Sequence, residues 1–261
     1  MNIQKLLNDY ENNGYCIIKS LSSVLIPYIE RVNDELNTIG KSIDSNFDLS
    51  NPKSIKEVNK KNFYRAIRYS LGLFSLASNK ELINLSINLK CKIPFLGPSY
   101  IRSDVIDETS HAFSWHQDAP CLLGSLNSTT FWIPCSDVNK KKGSIEIIEK
   151  SHKYGVLKNK SKAAQDSLTS NNLIIDDNDA PDGKRVIVDL KKGEFIVFHS
   201  LLVHRSYYPK ISNNVRVSAI LRYDDASDIE HREHGYLTSF DNKNINSAPQ
   251  YRKIYNQKFS D

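Results

Sequence analysis

Gly193-Glu-Phe-Ile-Val-Phe198-His199-Ser-Leu-Leu-Val-His204-Arg205-Ser206 is an apolar, hairpin-like run, rich in β-branched and aromatic residues, that delivers a histidine at its far end. Short runs of this texture, bounded by turn-forming clusters, read as strands. The same texture begins after Pro94 and predicts strands near 98–105, 113–118, 127–134, 144–148, 185–190, 194–199, 201–207 and 215–223. Eight short strands without intervening helices predict a double-sheet jelly roll, mainly β with flanking helices, rather than βαβ units.

Upstream the pattern is helical. Ile3, Leu6, Leu7 and Tyr10 recur at helical spacing over 2–11, and Asn12-Asn13-Gly14 is a stop, followed by a short strand at Tyr15–Lys19. Ser22 or Ser23 is the expected cap of a second helix that tolerates Pro27 early, carries Leu25, Ile29, Val32 and Leu36 on one face, and ends near Gly40. Residues 41–60 are polar and aperiodic and read as a loop or mobile insertion. Helices are predicted over 62–77 and 79–90, the second opened by the capping box Ser78-x-x-Glu81. The chain thus divides into a helical part to about 93, a β core over 94–224 and a polar tail over 225–261, read together as one domain.

The 261 residues are 39% hydrophobic and 25% charged, an ordinary globular composition that excludes disordered and fibrous classes. The formal charge of +5 is scattered rather than gathered into a stripe, which argues against nucleic acid. No run reaches the roughly 18 apolar residues of a membrane helix, and the opening residues lack a signal-peptide layout, so a cytoplasmic protein is expected. Cys16, Cys91, Cys121 and Cys135 stand apart with no C-x-x-C, which reads as reduced thiols rather than a disulfide or zinc framework.

The chemistry is concentrated in Phe113-Ser-Trp115-His116-Gln117-Asp118. On a strand, i and i+2 share a face, so His116 and Asp118 can present an imidazole and a carboxylate to one metal ion. With His204 they make two histidines and one carboxylate, the facial set that leaves open positions on non-haem Fe(II). Arg216 follows in an apolar strand, where a guanidinium is costly unless an anion pairs with it, and its fork suits a dicarboxylate cosubstrate. Ser206, two residues past His204, shares its face. Arg222 lies on the same strand face as Arg216.

These residues resemble the phytanoyl-CoA dioxygenase-like branch of the Fe(II)/2-oxoglutarate-dependent oxygenases. The resemblance runs from about Gly14 to Tyr223 and includes Trp115-His116-Gln117-Asp118, Trp132-Ile-Pro134, Gly143-Ser-Ile-Glu-Ile-Ile, Ser151-His152-Lys-Tyr-Gly155 and the Gly193–Ser206 run. It implies a double-stranded β-helix of cupin type, with His116, Asp118 and His204 as iron ligands. Arg216 and Ser206 would clamp the distal carboxylate of 2-oxoglutarate, with Gln117 and Trp132 lining its pocket. It further implies that 2-oxoglutarate chelates Fe(II), that O2 takes the remaining position, and that a small molecule is hydroxylated with release of succinate and CO2. Asp118 argues against halogenation, since halogenating relatives replace that carboxylate with a small residue. The chain departs from the family at Glu149-Lys150, where Pro-Gly is usual, and at Arg205, where glycine is usual.

Arg102, Arg205 and Trp115 are candidate substrate contacts, the arginines suiting an anionic or carrier-linked metabolite. His152 reads as structural, and His111 and His199 as surface or supporting residues. Competing readings are a non-catalytic metal-binding jelly-roll sensor and a zinc hydrolase, against both of which Arg216 and Ser206 speak. Oxygenation needs water excluded, so a lid is expected, with 156–184 preferred over 41–60 and the tail.

Overall fold

In a computed structural model of the protein, which describes residues 1–107, 112–162, 172–210, 214–233 and 235–236, the chain opens with α1 (Ile3–Asn13). Asn2 caps it by accepting the Lys5 amide, and Gly14, at φ 86°, ends it in the left-handed region as the stop signal predicts. After β1 (Tyr15–Ile18), α2 (Ser22–Ile43) buries Leu25, Ile29, Val32 and Leu36. No side chain caps α2. Ser22 lies within it and its hydroxyl donates back to the Lys19 carbonyl.

Residues 41–60 are not the expected loop. They finish α2, carry α3 (Pro52–Glu57) and begin α4 (Lys60–Ile67), with Asn51 and Asn59 as side-chain caps. Their polar composition hides four buried anchors, Phe47, Leu49, Ile55 and Val58. Phe47 lies over Gly40, where a β-carbon would overlap its ring, so Gly40 serves a close approach rather than a helix end. The expected 62–77 helix is divided into α4 and α5 (Leu71–Ala77) by Ser70, whose hydroxyl accepts the Leu73 amide. Asn79 caps α6 (Lys80–Asn88) in place of Ser78, whose hydroxyl is spent on the Phe74 carbonyl.

The remaining elements are β2 (Pro94–Leu96), β3 (Tyr100–Val105), α7 (Asp118–Leu122), β4 (Thr129–Pro134), β5 (Ser144–Ile148), β6 (Lys160–Lys162), β7 (Asn172–Ile174), β8 (Arg185–Ile187), β9 (Phe195–His199), β10 (His204–Tyr207), β11 (Val215–Asp225) and α8 (Ile229–Glu233). One sheet runs β1-β9-β4-β11-β2 with β3 also on β11, a second runs β10-β5-β8, and β6 pairs with β7. All these pairings are antiparallel. This is the jelly roll expected.

Strand alternation sorts the large sheet into two faces. Phe131, Ile133, Ala219, Leu221 and Tyr223 pack outward with the helices. Trp132, Ile196, Phe198 and Ile220 point inward, against Ile145 and Ile147 of the small sheet. Thr130, Arg216 and Arg222 share the parity of Trp132 and Ile220 on their strands, and the register of β3 with β11 adds Arg102 and Asp104 to that inner face.

Two further expectations need correction. Residues 113–118 form no strand, because the Ala119-Pro120 pair after Asp118 turns into α7, where proline's missing N–H costs nothing in the first turn. The chain from 225 is not simply a tail, since α8 follows and His231 is buried and stacked on Phe95 at 5.9 Å. His111, residues 163–171 of the expected lid and the tail beyond 236 lie outside the described residues. Among those described, no helix is long and apolar enough to cross a membrane. None of the four cysteines is in a disulfide, and burial pushes the Cys16, Cys91 and Cys135 thiols up to about 12, which leaves those three unreactive.

The Glu149-Lys150 departure keeps a glycine-type turn without the glycine. Lys150 sits at φ 69°, with its amide donating to the Asn13 carbonyl at 2.8 Å. A side chain there is strained, so Lys150→Gly is expected to raise unfolding stability by about 0.5–1 kcal/mol after the entropy it adds to the unfolded chain. A denaturant midpoint at or below that of the parent protein would contradict this.

Candidate active site

His116 and His204 face each other through a reciprocal backbone pair, each amide donating to the other's carbonyl at 3.0 and 3.1 Å. The pairing brings the two rings to 4.1 Å between centroids. Each Nδ1 lies against a backbone carbonyl, Ser114 at 2.8 Å for His116 and Leu202 at 3.0 Å for His204. A carbonyl only accepts, so Nδ1 carries the proton and the Nε2 lone pair is left for a metal. Asp118, the first residue of α7, places Oδ1 3.9 Å from His116 Nε2 and 3.8 Å from His204 Nε2. His116, Asp118 and His204 are the one group of three or more potential metal-binding side chains found among the described residues.

Electrostatics keep these groups in ligating form. Burial pushes His116 down to about 3, with His204 beside it adding to the effect, and burial likewise lowers His204. Burial would raise the Asp118 carboxyl, but Arg222, His204 and His116 together hold it well below the usual carboxylate range. His199 is also pushed down to about 3 by burial. Such histidines are neutral when folded, so below their unfolded value near 6.5 the unfolded chain takes up protons first, and stability present above that pH is lost as pH falls towards 3. Asp224 works the other way. Burial raises it to about 6, so its contribution grows as pH falls through that value. Three histidines outweigh one carboxyl, so the metal-free protein should be less stable at pH 5 than at pH 7, by roughly 1 kcal/mol per pH unit for each uncompensated group, and should melt at a lower temperature. A flat melting temperature across that range would contradict it.

Arg222 is the residue that sequence reasoning left without a firm role. Its Nε donates to Asp118 Oδ2 at 3.1 Å and its Nη2 to Oδ1 at 3.0 Å, while Nη1 donates to the Pro98 carbonyl at 2.9 Å. The Thr130 hydroxyl adds a bond to Oδ2 at 2.8 Å. The signal available was parity, since Thr130 and Arg222 share the inner face with Trp132. Asp104 was missed altogether. It accepts from Arg102 at 2.6 Å and from Arg216 at 2.8 Å, and these two guanidiniums hold it below the carboxylate range against the opposing effect of burial.

Arg216 is 3% exposed and also donates to the Ser144 carbonyl, with Trp132 5.9 Å from its guanidinium. Its Nε and the Ser218 hydroxyl, two residues on, are buried without hydrogen-bond partners. Ser206 shares the His204 face of β10, and its hydroxyl accepts the Phe113 amide at 3.0 Å. Arg102 lies 4.1 Å over the Phe113 ring, which is 5.4 Å from the His116 ring.

The other expected residues point elsewhere. The Gln117 amide is fully used by backbone, donating to Gly155 and Leu201 and accepting from Leu157. Arg205 alternates to the outer face of β10, paired with Glu146 at 2.6 Å and stacked 4.3 Å over Trp115. Trp115 is buried there with Ile148, Ile175 and Val203. His152 bonds the Glu11 carbonyl at 3.0 Å, as a structural residue would.

Comparison with known proteins agrees with this fold. Among solved structures, the non-heme monooxygenase ThoJ matches with a TM-score of 0.61 and 16% identity, over 84% of this chain and 77% of that one. EctD from S. alaskensis, solved with 2-oxoglutarate and 5-hydroxyectoine, matches with 0.59 and 16%, over 86% and 76%. The epimerase SnoN, in complex with Fe3+, alpha ketoglutarate and nogalamycin RO, matches with 0.58 and 17%, over 86% and 84%. No curated protein matches by sequence. The family model for phytanoyl-CoA dioxygenase (PhyH) matches residues 10–216, most of the length, and the chain belongs to that family.

Proposed function

We propose that this chain is an Fe(II)- and 2-oxoglutarate-dependent dioxygenase that hydroxylates an unactivated C–H bond of a small anionic or carrier-linked metabolite. The observation that carries the reading is the grouping of one ligand atom each from His116, Asp118 and His204 within 4.8 Å of one another. Separations of 3.8 and 3.9 Å lie within the span of two metal–ligand bonds of about 2.0–2.2 Å each. Two neutral imidazoles and one carboxylate suit a divalent iron that must keep positions open. When bound, iron, 2-oxoglutarate and O2 would supply the oxidising chemistry, with succinate and CO2 released.

The chain's own residues hold and orient. His116, Asp118 and His204 grip one side of the metal. Arg216, with Ser206 and the unpartnered Ser218 hydroxyl, receives the far carboxylate of the cosubstrate, and Trp132 walls its pocket. Arg102, reached from His116 through Phe113, offers positive charge to the substrate.

The test is anaerobic titration of the purified protein with Fe(II) and then 2-oxoglutarate, followed by a substrate screen scored by succinate release. Failure of the iron-loaded protein to bind 2-oxoglutarate overturns the reading. Product mass then decides the outcome of turnover. A gain of one oxygen atom is expected, whereas unchanged mass, as an epimerase would give, or loss of two hydrogens overturns hydroxylation alone.

A further inference from the structure

A carboxylate has four lone-pair sites, two on each oxygen. In Asp118, Oδ2 spends both of its sites, on Arg222 Nε and on the Thr130 hydroxyl, and Oδ1 spends one on Arg222 Nη2. One site is left, on the oxygen that faces both histidine Nε2 atoms. The donors are themselves fixed. Arg222 is 5% exposed, its third nitrogen is tied to the Pro98 carbonyl, and its guanidinium lies 5.2 Å from the Tyr100 ring. Thr130 sits in the middle of the large sheet, on β4 beside Arg222 of β11.

Resting on the metal site proposed above, we infer that Arg222 is a positioning residue that restricts Asp118 to a single metal bond, through Oδ1. The consequence is a count of open positions. With three protein bonds on an octahedral ion, three positions remain, enough for a two-point cosubstrate and one further ligand. An Asp118 released to bind through both oxygens would occupy a fourth position. A two-point cosubstrate would then fill the ion completely. Arg222 therefore keeps the last position vacant by acting through Asp118.

The experiment uses Mn(II) as the probe, with water-proton relaxivity reporting the waters on the bound ion. The parent protein should retain three waters on Mn(II) and one after saturation with 2-oxoglutarate. In Arg222→Gln, relaxivity per bound ion should fall by about a third without cosubstrate and to the level of no bound water with it. Mn(II) affinity should also weaken by about 10-fold or more, as loss of an outer partner of a ligand does. A role confined to holding the fold would alter affinity or melting temperature but not the water count of the ion that binds. Thr130→Val removes the other Oδ2 donor and leaves the charge untouched, so it is measured in parallel and should shift the count in the same direction by less. Parental water counts in both variants overturn the inference and leave the metal site standing. Absence of Mn(II) binding by the parent protein overturns the metal site and the inference with it.

Discussion

Asp118→Ala is expected to abolish 2-oxoglutarate turnover and to weaken Fe(II) binding by more than about 100-fold, beyond the effect of losing an outer partner of a ligand. A three-ligand site has no spare donor. The substitution also strands Arg222, which is buried beside Thr130 and loses both of its bonds to the carboxylate. Breaking one side of a buried pair costs about 3–5 kcal/mol, so the metal-free variant should melt well below the parent. The two losses separate in Asp118→Asn, which keeps the side-chain shape and one accepting oxygen while removing the charge. Isothermal titration with Fe(II) under nitrogen, alongside thermal melts, reads both. Unchanged iron binding in folded Asp118→Ala would sink the triad.

Arg216→Ala should act on the cosubstrate and spare the metal. Loss of one side of a buried, charge-assisted pair is worth about 2–5 kcal/mol. The apparent 2-oxoglutarate constant should therefore rise by roughly 30-fold or more while Fe(II) affinity stays near parental. The fold should survive, because Asp104 keeps two bonds from Arg102, at 2.6 and 3.1 Å. If cosubstrate affinity is unchanged, Asp104 is the whole of the anion that Arg216 was built to meet, and the clamp lies elsewhere.

How far the site was legible follows from how each residue is brought there. Parity along a strand was enough to group Arg216 with Arg222 and His204 with Ser206, because side chains alternate strictly. The same rule, applied one residue past His204, puts Arg205 on the far side of the small sheet, where it pairs with Glu146 and stacks over Trp115. Adjacency in sequence to a ligand is thus a poor guide on a strand. The 113–118 segment converged on the site by another route than expected, through the turn into α7 and the pairing of His116 with His204, a contact between residues far apart in the chain. Nothing local encodes such a contact. Asp104 was missed because its worth depends on Arg216 lying opposite it across the β3–β11 ladder. The helices of 41–60 were hidden because Phe47, Leu49, Ile55 and Val58 meet the core from separate turns instead of forming one stripe.

The loop that leaves the barrel after Gly155 is fastened at both ends to the ligand-bearing stretch. The Leu157 amide donates to the Gln117 side chain at 2.9 Å, and the Ile175 amide donates to the Trp115 carbonyl at 2.8 Å. The ends of that segment are thus held against the residues on either side of His116. Closing a longer loop between fixed ends costs only about 0.6 kcal/mol for each doubling of its length. The segment between them can therefore change in length at small entropic cost while its ends stay beside His116.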